Sequence, residues 1–405
     1  MRRTLLFPIA VMMLSCASPR SRSEVDPRLA KMIEQIKAID NHAHPTLGPD
    51  DKEFDPIPVD AMAPSPSPIR VADANEPRFK FRDHAKDAAG VLDAAGIEIM
   101  LANRISMGTG LDPARFKWVP FADPLMYPLN NEAMSKNPDR KPAFAAEEKL
   151  LKRYLSEAGL SAMPATFDDY LSFVTKTIER HKQQGAVAEK FEMAYLRTLA
   201  VGRPLKANAE HAFNIYSKAA LATDDEYKTV QDYIFRHIAT VCGRLNLSVH
   251  IHSSAGAGGF FEMGGANPMN LEGVFNDPEL RKTQFVLIHG GWPATREAVA
   301  LLTKPNVWMD FSSLDLLLEP RVLAGILREA IGYMPDKVMF GTDAGPWGPG
   351  LGLEETARAA SNAAREALGI ALTGMVRDGE ITNERAETLA RMVMRENARH
   401  LYGMK

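Results

Sequence analysis

Apolar positions along this chain cluster in eight short runs rich in Val, Ile, Phe and Met, separated by longer stretches with the spacing of amphipathic helices. The runs are AIDNHAHP (38–45), IEIMLANR (97–104), FKWVPFAD (116–123), AVAEKFEM (186–193), LSVHIHSS (247–254), QFVLIHGG (284–291), NVWMDFSS (306–313) and KVMFGTDA (337–344). Helix-like stretches such as 83–96, 167–185 and 224–246 precede the second, fourth and fifth runs. Eight strands alternating with helices predict an α/β fold of the (β/α)8 TIM barrel type.

Two regions exceed a minimal barrel. Residues 47–77, after the first strand, are too rich in Pro and Asp for regular structure and predict a long loop. An insertion of about 124–166 follows the third strand and carries its own helix around 145–159. Both follow strand C-terminal ends, where barrels of this type place their sites, so both are expected to roof a pocket. The segment 381–403 predicts one closing helix.

Composition adds limits. With 45% hydrophobic and 24% charged residues the chain can bury a large core, and a net charge of -3 gives no sign of a nucleic-acid partner. The N-terminus is different. Arg2 and Arg3 lead into an apolar run that ends in small residues around Cys16, the layout of an export signal, and MLSCAS is similar to a lipoprotein signal. Residues 1–22 are therefore expected to be signal and tether, and 23–405 the barrel. The chain is expected to be exported, membrane-anchored through lipid on Cys16 or periplasmic. Setting Cys16 aside leaves Cys242, so no disulfide framework is available.

Polar residues interrupt the apolar runs at matching places. His42 and His44 close the first run, two apart and so on one face of a strand; His250 and His252 close the fifth, His289 the sixth and Asp343 the eighth. Imidazoles and a carboxylate at strand ends are costly to bury without a partner, and a shared ion would satisfy them together. Nitrogen and carboxylate donors suit zinc first, with manganese or iron as alternatives. An incomplete protein shell leaves room for a water whose proton the ion makes easier to lose, with Asp343 placed to take it. For His84, His181, His211, His237 and His400 a core or capping role is the better reading.

The motifs DNHAHP, VHIHSSAG, FVLIHGGWP with NVWMDFSS, and KVMFGTDAG occur in order over nearly the whole mature chain. Together they resemble the amidohydrolase superfamily, and within it the amidohydrolase-related (amidohydrolase 2) branch. The resemblance implies metal ligation by His42, His44, His252 and Asp343, with His250 behind them. It also implies a role for His289 in polarising substrate or moving a proton, or as ligand to a second metal. In two-metal members a carbamylated lysine ends the fourth strand, where Lys190 stands; the alternative is an ion pair with a substrate carboxylate or with Glu192, and the metal count stays open. Arg197, Arg104 and Trp292 are candidates to bind substrate, with structural ion pairs or core packing as the alternatives, and Trp347 is a second candidate wall.

The function expected is hydrolysis of an amide, ester or lactone-like carbon in a small-molecule substrate. A nonoxidative decarboxylase on the same scaffold is the alternative, and a ligand-binding barrel without turnover a third. The only membrane contact expected is the lipid anchor, and a homodimer is left open.

Overall fold

The computed structural model describes residues 24–48, 50–58, 61–62, 74–217 and 221–404. Cys16 and the expected signal lie outside them.

Among the described residues the eight strands are β1 (Ala38–Ala43), β2 (Ile97–Asn103), β3 (Phe116–Val119), β4 (Ala188–Phe191), β5 (Ser248–His252), β6 (Phe285–Ile288), β7 (Val307–Asp310) and β8 (Val338–Met339). Each falls inside one of the eight apolar runs. All pairings are parallel, β1-β2-β3 in one ladder and β4-β5-β6-β7-β8 in another. Backbone bonds join the two ladders at both seams. Val187 N donates to Trp118 O and Lys190 N to Pro120 O between β3 and β4, while Asn41 N donates to Phe340 O and Asp343 N to His42 O between β8 and β1. The ladders thus form one ring.

Every residue of β1, β4, β5, β6 and β7 is buried, as expected of parallel strands covered on both faces. Ile39, Leu101, Val119, Ala188, Val286, Ile288, Trp308 and Met339, drawn from seven strands, pack into one small cluster with Ala398 of the C-terminal helix. A far larger cluster fills the space between strands and helices.

Local signals set the helix limits. Thr223 accepts from Glu226 N while Glu226 reaches back to the Thr223 backbone, a capping box that starts helix Asp224–Leu245, and Asn246 in the left-handed region ends it. Thr166 caps Phe167–Gln183 through its side chain, which accepts from Asp169 N. The closing helix expected over 381–403 runs from Asn383 to Tyr402 with a π turn at Met392–Glu396. It is fastened to the last strand, since Asn397 Nδ2 donates to Val338 O and Phe340 N to Val393 O.

The insertion after β3 carries helix Arg140–Glu157. Three tyrosines lace this region to the wall: Tyr154 Oη donates to Phe121 O (2.8 Å), Tyr170 Oη to Leu125 O (2.7 Å) and Tyr227 Oη to Asn131 Oδ1 (2.8 Å). Removing one hydroxyl leaves a buried acceptor unpaired. Tyr170→Phe is therefore expected to destabilise the protein by about 1–3 kcal/mol, read as a lower urea midpoint, with metal content unchanged.

Candidate metal centre

At the C-terminal ends of the strands, three atoms converge. His42 Nε2 and His44 Nε2 are 3.3 Å apart, and Asp343 Oδ1 is 3.3 Å from the first and 3.6 Å from the second. An ion bonded at roughly 2.1 Å with tetrahedral angles spaces its ligands about 3.4 Å apart, so the donor types and their separations both fit a borderline divalent ion. The two histidines come from β1 and the following turn; the aspartate follows β8 and is brought in by the bond from Asp343 N to His42 O (2.7 Å). Lys190 Nζ, buried at the end of β4, lies 3.3 Å from His42 Nε2 and 3.5 Å from Glu192 Oε1.

His289 and His252 stand beside this group. The His289 ring is 5.0 Å from His42 and 4.8 Å from His252, centre to centre. His252, expected as a ligand, lies outside the compact three-atom group, and its Nε2 is 3.1 Å from Ser254 O. Since a carbonyl can only accept, that nitrogen carries the proton and Nδ1 holds the lone pair. His289 is fixed the other way. Its Nδ1 is 3.1 Å from Ser312 O and 2.9 Å from Ser312 Oγ, whose own proton goes to Asp310 Oδ1 at 2.7 Å. The proton therefore sits on Nδ1, and Nε2 keeps its lone pair.

Burial controls protonation throughout. It lowers His42 and His289 well below the usual imidazole range, with the nearby Lys190 and neighbouring histidines adding to the effect, and it brings His252 and His250 to about 3. All are neutral donors at neutral pH. Burial raises Asp343 to about 7, against the opposing pull of His44 and Lys190. Local strain is concentrated here too. His289, Ser313 and Asp343 are three of the four non-glycine residues with left-handed φ among the described residues, at 67°, 65° and 56°.

Other expected site residues do other work. His250 pairs with Lys190 across the β4–β5 ladder and bonds Tyr402 Oη at 2.7 Å; Tyr402 also donates to Asn41 Oδ1, and Asn41 Nδ2 to Asp310 Oδ2 at 2.7 Å. A hydrogen-bonded line thus runs from His250 through the closing helix to the residues that hold His289.

The two arginines require correction. Arg104 is buried with its donors on Asp51 (2.8 and 3.2 Å), Ser106 O and Pro45 O. Arg197 bonds Asp232 (2.7 Å), Gln231, Ala200 O and Thr198 O. Both forks are committed to the protein and not to a substrate. Trp292 takes part through its backbone, its carbonyl accepting from Ala255 N and Ser254 Oγ. The tryptophan against the histidines is Trp347, edge-on to His44 at 5.3 Å with its Nε1 donating to Asp343 O. Of the histidines set aside, His181 pairs with Glu189 and His237 with Thr175.

Several contributors carried no signal strong enough to single them out. Asp310 and Ser312, inside the quoted run NVWMDFSS, fix His289; Asp55, in the loop after β1, lies 3.0 Å from His44 Nδ1. A carboxylate closing β7, with a serine two places on, was the clue available for Asp310 and Ser312, and nothing in the Pro-rich loop marked Asp55.

The family's sequence model, described as amidohydrolase, matches residues 162–404, more than half of the chain. The chain belongs to this family. Protein fluG of Emericella nidulans is 27% identical over 194 residues, which is 46% of this chain and 21% of fluG, so the match spans about a fifth of that relative. Among solved structures, a Lactobacillus casei protein assigned as a metal-dependent hydrolase superposes with a TM-score of 0.65 at 15% identity, covering 93% of this chain and 97% of that one. Uronate isomerase of Thermotoga maritima superposes with a TM-score of 0.57 at 14% identity, covering 77% and 69%. At these identities the likeness establishes the fold.

The raised Asp343 sets a pH dependence. Its carboxyl must lose a proton to ligate, while the histidines are already neutral. Below pH 7 one proton is therefore displaced per ion bound, and affinity for zinc is expected to fall about tenfold per pH unit. Zinc titrations at pH 6 and pH 8 check this; equal affinities would contradict it.

Proposed function

We propose that this protein is a metal-dependent hydrolase acting on an amide, ester or lactone-like carbon of a small substrate, with zinc as the preferred ion and manganese or iron as alternatives. The observation that carries the reading is the convergence of the buried His42 and His44 with the partly exposed Asp343 at the mouth of the ring. These three would hold the ion; the His289 ring lies 5.0 Å from that of His42, and His252, the fourth ligand expected from the sequence, lies 4.8 Å from His289, centre to centre. A bound divalent ion supplies Lewis acidity, polarising a substrate oxygen and easing loss of a proton from water.

The chain's own groups do the rest. Asp343, 15% exposed at its side chain, would hold the ion as a carboxylate and can accept a proton and later return it to a leaving group. The Ser313 hydroxyl and the pull of His44 steady its carboxylate form. His289, neutral and locked by Ser312 with its Nε2 lone pair free, can accept a hydrogen bond or proton from a reacting group. Trp347 and Phe121 pack against His44 and keep its surroundings apolar, which strengthens each electrostatic interaction inside. Lys190 is within reach of His42, and carbamylation there would add a bridging donor for a second ion. The N-terminal pattern around Cys16 supports export and a lipid anchor.

Metal analysis and turnover test this directly. His42→Ala is expected to lose most bound metal, and both it and Asp343→Asn to lose turnover by at least about 100-fold over a panel of small amides, esters and lactones. Unchanged metal in His42→Ala would contradict the ligand assignment. Release of carbon dioxide from carboxylate substrates without hydrolysis would replace the hydrolase with the carboxy-lyase.

A further inference from the structure

Resting on the reading of His44 as a ligand, we propose that Asp55 is a positioning residue of the metal centre, fixing His44 as the Nδ1–H tautomer so that seating of the loop after β1 and binding of the ion reinforce one another.

His44 Nδ1 faces two acceptors, Asp55 Oδ2 at 3.0 Å and Phe54 O at 3.4 Å. Both side chains of the His44–Asp55 pair are at most 5% exposed, so the bond is not weakened by competing water. With its proton held on Nδ1, the ring has a single lone pair, on Nε2, and that atom is the one facing His42 and Asp343. A carboxylate behind an imidazole also makes the ring a stronger donor. Asp55 is itself held, its Oδ1 accepting from Ile57 N at 2.7 Å.

The loop that brings Asp55 is fastened at the points where the arginines are engaged. Asp51 takes the Arg104 fork, Glu53 accepts from Ser106 Oγ and Arg153, and Ile105 N donates to Glu53 O. Asp55 is thus the link between a braced loop and the ring of donors. By linkage, whatever tightens one end tightens the other.

His44, Asp55 and Glu192 offer three atoms within 4.8 Å of one another, a set that could be taken for a second ion site. An ion on Nδ1 would drive the proton to Nε2 and remove His44 from the group with His42 and Asp343, so the orienting role is the one consistent with both sets.

The test compares wild type with Asp55→Ala, Asp55→Asn and His44→Ala by zinc titration, visible absorption of the cobalt-substituted forms, and urea midpoints with and without zinc. Asp55→Ala is expected to weaken zinc binding about 10- to 100-fold and shift the cobalt bands. Asp55→Asn, whose amide oxygen still accepts from Nδ1–H, should fall between. The metal-free midpoint should fall for Asp55→Ala, which leaves His44 Nδ1 and Ile57 N without this partner, and the zinc-loaded midpoint should fall further. Equal lowering of both midpoints would mean a merely structural role and overturn the proposal. So would loss of one zinc equivalent with the other unchanged, which would make the trio an ion site. If His44→Ala weakens binding and Asp55→Ala does not, only the Asp55 role fails; if neither does, His44 is not a ligand.

Discussion

The bond from Asp343 N to His42 O joins the last strand to the first, and the side chains of the same two residues are the paired donors of the candidate centre. Ring closure and site assembly are therefore one event. Neither residue could be placed by local structure alone, because β1 and β8 meet only when the intervening strands have been laid side by side. The strain at Asp343, His289 and Ser313 is held by that closed frame.

Around this junction the protein spends buried polar groups in ordered lines. Asp310 receives the His289 backbone, the Ser312 hydroxyl and the Asn41 amide, and Asn41 passes the connection on to Tyr402 of the closing helix. These bonds settle which nitrogen of His289 carries its proton. Burial then does the electrostatic work, keeping the imidazoles neutral and Asp343 near the midpoint of its titration at neutral pH.

Much of this was legible in the sequence. Parallel strands covered on both sides are written as unbroken apolar runs, so all eight could be placed, and polar residues ending those runs marked the rim where His42, His44, His252, His289 and Asp343 lie. What could not be read were commitments made by distant partners. Arg104 and Arg197 look like free forks until Asp51 and Asp232 are brought beside them, and Asp55 is one acid among many in a Pro-rich loop until folding sets it behind His44. His252 shows a further limit, since spacing along β5 fixes the face of a side chain but not the turn of its ring toward Ser254 O.

A chain made from its N-terminus carries the two histidines of β1 and its following turn from the start and meets their carboxylate partner only after all eight strands exist. Until then those imidazoles are two donors on an open edge, with no acid to complete the grip. The candidate ion-holding set is thus complete only in the closed ring.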